Sequence, residues 1–170
     1  MEYPKLQTGD RILSRRMTGS IKYFSSCLAW FLHSNWSHVV PVIDENNCLD
    51  ILWPKVKVVP NKTFLSSDYR IMILRPKVQL TDEQKETWVK TTNKLYGEDY
   101  DLESFAGFLL DKPSIQNPNK VNCAEGCLLC DKSIGFLTNY NGRLVSPQTY
   151  ENFAMAGMFD IIYSDGAVWK

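Results

Sequence analysis

The sequence predicts an α+β fold. Three observations carry that reading. Apolar runs of strand length fill residues 11–76, interrupted once by a helical stripe. From residue 81 onward the apolar spacing lengthens to the helical period of about 3.6 residues. Strands thus dominate the first half and helices the second, without the regular alternation that builds a doubly wound parallel sheet.

The elements follow in order. TGDRILSRR reads as a turn feeding a short strand. In GSIKYFSSCLAWFLHSN, residues Ile21, Phe24, Leu28, Phe31 and Leu32 fall on one stripe behind a Ser20 cap, the pattern of an amphipathic helix. WSHVVPVI and CLDILWP are two β-like runs separated by DENN, a turn composition. KVKVVP alternates with period two, and YRIMILRP is a further apolar run. LTDEQKETWVKTTNKLYG opens on Thr81 with Gln84 three residues on, a capping box, and closes at Gly97 as a helix C-terminus does. DLESFAGFLL reads as another short helix. DKPSIQNPNK, with two prolines and two asparagines, reads as a loop. A helix through VNCAEGCLLC, one starting at Ser146-Pro147 and a last strand in MFDIIYS complete the chain.

Composition narrows the classes. At 170 residues a single domain over 1–170 is expected, large enough for a core without staples. Lys plus Arg equals Asp plus Glu, 19 against 19, so net charge predicts neither nucleic acid nor an anionic membrane surface as partner. The N-terminal run MEYPKLQTGDRILSRR has no apolar core of the secretory kind, and no apolar run approaches membrane-spanning length. Five cysteines, an odd number, read as reduced thiols. A cytoplasmic monomer, phage-encoded or not, is expected, and nothing implies a cofactor.

The chemistry concentrates in VNCAEGCLLC. Cys123, Cys127 and Cys130 stand at i, i+4 and i+7, one face of a helix. Asn122 is a favoured N-cap, so Cys123 would meet the unpaired N–H groups and positive end of that helix, where a thiolate is stabilised. Cys127, a turn further in, loses that benefit and reads with Cys130 as core. A nucleophilic cysteine needs a base, and the chain has two histidines. His33 ends a helix, where it complements the dipole. His38 opens a β-run from which an imidazole can project towards a neighbouring helix terminus. Two other readings remain open. Cys123, Cys127, Cys130 and His38 would count to a zinc set; alternatively the cleft persists as a binding module for peptide or lipid.

The ordered set TGDRIL, WFLHSNWSHVVPVI, LDILWPKVKVVP, RIMILRP, LTDEQ, LYGEDYD and VNCAEGC resembles the circularly permuted NlpC/P60 cysteine hydrolases of the YiiX type, over roughly residues 8–153. The resemblance implies a permuted papain-like fold, a small antiparallel sheet or half-barrel packed on helices, and a peptidase or amidase acting on a peptide, amide or acyl substrate. It matches Cys123 to the nucleophile, His38 to the base and Asp50 to an acidic position usually held by Glu. Ala124 stands for the usual Ser, and Val40-Pro41 for the usual Gly-Ile; a proline there suggests a sheet edge or bulge. Trp36, Tyr100 and Glu125 are the candidate substrate contacts, although Tyr100 reads equally as packing and Glu125 as a complement to the helix dipole.

Asp50 depends on parity. A two-residue turn in DENN would pair residue 43 with 48, set His38 opposite Trp53 and send Asp50 to the other face. An odd-length or bulged turn across 44–48 puts Asp50 on the His38 face, and that arrangement is the one predicted. A surface aspartate is the bland reading.

Overall fold

A computed structural model describes residues 3–31, 33–101 and 120–165. Strand β1 (Arg11–Arg16) is followed by α1 (Ile21–Phe31), β2 (His38–Pro41), β3 (Asn47–Asp50), β4 (Lys57–Pro60) and β5 (Tyr69–Pro76). After these come α2 (Asp82–Leu95), α3 (Cys123–Ser133), α4 (Pro147–Met155) and β6 (Phe159–Ser164). The class is α+β. The helix expected in DLESFAGFLL and the loop expected in DKPSIQNPNK fall almost wholly on 102–119, outside the described residues.

Four strands form an antiparallel sheet in the order β2-β1-β5-β6, and β3 pairs with β4 as a separate ribbon. Both faces of the larger sheet are covered. Leu13, Val39, Met72 and Leu74 meet α2, α3 and α4, while Ile12, Val40, Ile71 and Ile73 meet a second cluster around Phe64. A strand buried on both faces shows a continuous apolar run in place of alternation, which is why YRIMILRP reads as it does. β2 is an edge strand, so the missing N–H of Pro41 costs the sheet little.

The helix caps follow the sequence. Thr81 and Gln84 form the reciprocal capping box of α2, and Gly97, at φ +84°, supplies the left-handed residue just past its end. Inside α2, Trp88 is fully buried and donates its indole N–H to Val42 O at 2.8 Å, tying the helix to the end of β2. Asn122 caps α3 by accepting from Glu125 N at 3.0 Å. Ser146 and Thr149 form the capping box of α4, with Pro147 in its first turn.

Helix α1 departs from expectation. An apolar stripe ordinarily turns inward, but Phe24 is 58% exposed and Leu28 is only partly buried, while Ser25 and Ala29 face the protein. The cause is close approach to β1. Ser25 Oγ accepts from Arg16 N at 3.0 Å and shares a 2.6 Å hydrogen bond with Ser37 Oγ. Only small side chains fit at that distance, so the large ones turn out.

A buried ion pair joins the sheet to the helices. Arg11 on β1 and Asp131 on α3 are both fully buried and hydrogen-bonded to each other; Arg11 also donates to Gly9 O, and Tyr150 donates to the second oxygen of Asp131 at 2.7 Å. The guanidinium is sandwiched between Trp88 and Phe159, 4.6 and 4.7 Å from the ring centroids.

Candidate active site

Three separate elements deliver the candidate residues. Cys123 is the first residue of α3, His38 the first of β2 and Asp50 the last of β3. The link between the last two is short. His38 Nε2 lies 2.8 Å from Asp50 Oδ1.

That contact follows from the connection between β2 and β3. Val42 bridges Cys48, which leaves five residues between them, an odd number. Extending this register sets Val40 opposite Asp50, so Asp50 is the diagonal neighbour of His38 on the same face, at a separation that two side chains span. The connection is held by Asp44, whose Oδ1 accepts from Asn46 N at 2.7 Å and Asn47 N at 2.8 Å. Ile43 N donates to Asn47 O at 2.9 Å and closes the loop.

The imidazole is also coupled to the sulfur. Burial alone would hold His38 neutral, but its hydrogen bonds to Asp50 and Cys123 outweigh burial and push it up to about 10. Burial alone would likewise raise the Cys123 thiol. The hydrogen bond and charge of His38, with the N–H groups of Val39 and Ala124, turn the balance and bring it below the ordinary thiol value. The two shifts point the same way, towards a proton held on His38 and negative charge favoured on the sulfur. Asp50 occupies Nε2, which leaves Nδ1 for the sulfur. At the start of α3 the first N–H groups have no intrahelical acceptor, so donors surround the sulfur.

The other cysteines differ. Cys127 is fully buried and pushed up to about 11 by burial, despite the nearby guanidinium of Arg11 and the hydroxyl of Tyr150. Burial also raises Cys130. Arg11 is the cation that acts on both. No group of three or more His, Cys, Asp or Glu side chains converges as a metal site among the described residues, so the zinc set that counted Cys123, Cys127, Cys130 and His38 does not come together.

The remaining expected residues divide. Tyr100 stands by the dyad: burial, then the charges of Cys123, Asp101 and Asp50, push its hydroxyl up. Glu125 lies in the first turn of α3 with its side chain against Gly142. Trp36, expected as a substrate contact, is 1% exposed and donates its indole N–H to Glu151 Oε2 at 3.0 Å, so it packs in the core. His33 is exposed at the end of α1, at φ 47°.

Sequence reasoning missed a pocket. A cavity of about 110 Å³ reaches His38 and Asp50 and is lined by Phe24, Leu28, Leu52, Phe64 and Tyr69, with Ser14, Ser25 and Ser37 at one side. Its apolar wall comes from three separated stretches, 24–28, 52 and 64–69, and no local pattern could have gathered them. The serine of β1 was the one available signal: Ser14 lies directly opposite His38 in the register.

With that geometry in view, the chain compares with one solved structure in particular. It shares its fold with the metalloprotein yiiX of Escherichia coli O157:H7. The two superpose with a TM-score of 0.56 at 21% identity, over 78% of this chain and 68% of that one. The likeness to YiiX read from the ordered motifs is thus met, at the level of fold. No protein-family model matches the chain, and no curated protein matches it. Among the described residues, no helix is long and apolar enough to cross a membrane.

Proposed function

We propose that the chain is a cysteine hydrolase of the permuted papain-like NlpC/P60 kind, acting on an amide, ester or thioester, most directly as a peptidase or amidase. The observation that carries the reading is the 2.8 Å contact between His38 Nε2 and Asp50 Oδ1 beside a cysteine at a helix start. Three groups from three elements in this order have the logic of an activated nucleophile: a thiolate, a base that holds its proton, and an acid that fixes the base.

The steps follow from the geometry. Cys123 Sγ attacks the carbonyl carbon, a C–S bond forms, and the carbonyl electrons move to oxygen. The N–H groups at the start of α3 stabilise that oxyanion. When it collapses, the bond to the amine, alcohol or thiol breaks, and His38 gives its proton to the leaving group. Water then attacks the acyl-enzyme carbonyl while His38 takes its proton; the C–S bond breaks, the acid leaves, and the Cys123 thiolate is restored beside a protonated His38. Asp50 keeps the imidazole in one tautomer and supports its charge.

The test is labelling with an electrophilic thiol probe, together with turnover of muropeptides, acyl esters and peptide conjugates. Wild type should label at Cys123 and turn over one class, and Cys123→Ala should lose both. Labelling that persists in Cys123→Ala, or that maps to Cys127, defeats the assignment. Labelling without turnover of any class favours a binding module.

A further inference from the structure

Neutral as a whole, the chain is not neutral throughout. Residues 11–43 contain four of the 19 basic residues and none of the 19 acidic ones. Arg11 is buried on Asp131, which leaves Arg15, Arg16 and Lys22 as the cations of this stretch. None of the three is paired with a carboxylate among the described residues; Arg16 donates to Tyr69 Oη at 3.0 Å, and Lys22 Nζ lies 4.9 Å from the ring of Tyr23. One acid, Asp68, approaches the start of the helix and accepts from Thr18.

Helix α1 lies inside that basic stretch and is turned inside out. Tyr23 (72% exposed), Phe24 (58%) and Trp30 (74%) face outward together with Cys27. At 100° per residue these four positions span roughly 120° of the helix. A helix that faces water carries charge on that arc. Here the arc is aromatic and the cations sit at its borders. The patch also runs into the candidate site, because Phe24 and the exposed Leu52 both line the pocket that reaches His38.

We propose that α1 docks flat on an anionic lipid bilayer, with Tyr23, Phe24 and Trp30 in the headgroup region and Arg15, Arg16 and Lys22 against the lipid phosphates. Tyrosine and tryptophan, each with an apolar body and a polar tip, suit that boundary, and basic residues beside them add attraction to anionic lipid. Charge complementarity also selects this occupant over a second copy. A two-fold contact through this face would set the three cations of one copy against those of the other, with no carboxylate from residues 11–43 to separate them. The proposal does not depend on Cys123 being a nucleophile.

Flotation of the full chain with phosphatidylcholine vesicles, with and without phosphatidylglycerol, tests it. Binding is expected to the anionic vesicles, with a blue shift of tryptophan fluorescence and weakening by salt. Lys22→Glu should lower the affinity by about tenfold, and Tyr23→Ser/Trp30→Ser should abolish flotation while the far-UV circular dichroism stays that of the folded chain. Absence of binding to anionic vesicles overturns the proposal, as does binding that survives Tyr23→Ser/Trp30→Ser. A concentration-dependent dimer that the same variant dissolves, with no vesicle binding, gives the face to a second copy and also overturns it.

Discussion

Asp50→Asn keeps the shape of the side chain and removes its charge, which makes it the sharpest probe of the candidate site. The carboxylate lies 2.8 Å from His38 Nε2 and is largely sheltered from solvent, so its loss replaces a charge-assisted hydrogen bond with a neutral one. Hydrogen bonds to charged groups contribute about 1.5–3 kcal/mol. At about 1.36 kcal/mol per pH unit, that lowers the His38 pKa by roughly one to two units. A weaker imidazolium supports less thiolate, so the Cys123 pKa rises. The assay is the second-order rate of iodoacetamide alkylation against pH, read alongside turnover. The acidic limb of the alkylation profile should move to higher pH, and turnover should fall roughly 10- to 100-fold while labelling stays detectable. A superimposable profile with unchanged turnover would refute the reasoning and leave a Cys–His dyad.

Three further outcomes follow from the same structure. Asp131→Ala leaves the Arg11 charge buried without its partner and should cost about 3–5 kcal/mol, read from the shift in denaturant midpoint; a loss below about 1 kcal/mol would show that water reaches the guanidinium. Gly126→Ala puts a methyl group into Ile51 Cδ1 and within 3.1 Å of Val121 Cγ2, so either the side chain of Ile51, the residue after Asp50, or α3 itself must give way; alkylation of Cys123 should slow more than the melting temperature falls. Stability against pH should show a plateau. Below 9.0, down to the lowered Cys123 value or 6.5, whichever is higher, the folded pair holds one proton on His38 and the unfolded pair one on the thiol, so stability is flat there. Above 9.0 the unfolded thiol ionises first, and the His38 contribution is lost as pH climbs through about 10. The Cys123 contribution is lost as pH falls through its lowered value, and below 6.5 the unfolded histidine gains its proton. Cys123→Ala removes the thiol and with it the sulfur's share in raising His38, so its profile should differ from that of wild type; matching profiles for the two proteins would contradict the ion pair.

The parts of the molecule set by local rules were legible in the sequence. Asn122, Thr81 with Gln84, and Ser146 with Pro147 mark helix starts because capping chemistry is confined to four residues. The face of Asp50 was legible as a question of parity, and the five-residue connection answers it. Features fixed by distant packing were not legible. The stripe of α1 was visible, but its direction depends on how closely Ser25 lets the helix approach Arg16 and Ser37. Trp36 reads as a site aromatic from its neighbourhood, and only the position of Glu151, 115 residues away, shows that it is core. The pair of Arg11 and Asp131, separated by 120 residues, left no trace in either segment.

That pair has a consequence for the order of events during synthesis. β1, β2 and β5 are all present once residue 76 has emerged, but their inner face contains a cation whose counter-ion is residue 131. Closing the core over Arg11 before α3 arrives would bury an unpaired charge, which is strongly disfavoured. The nascent sheet therefore waits. Because α3 brings Asp131 and Cys123 together, neutralising the core and completing the thiol site become one event, and a chain cut short before that helix has neither.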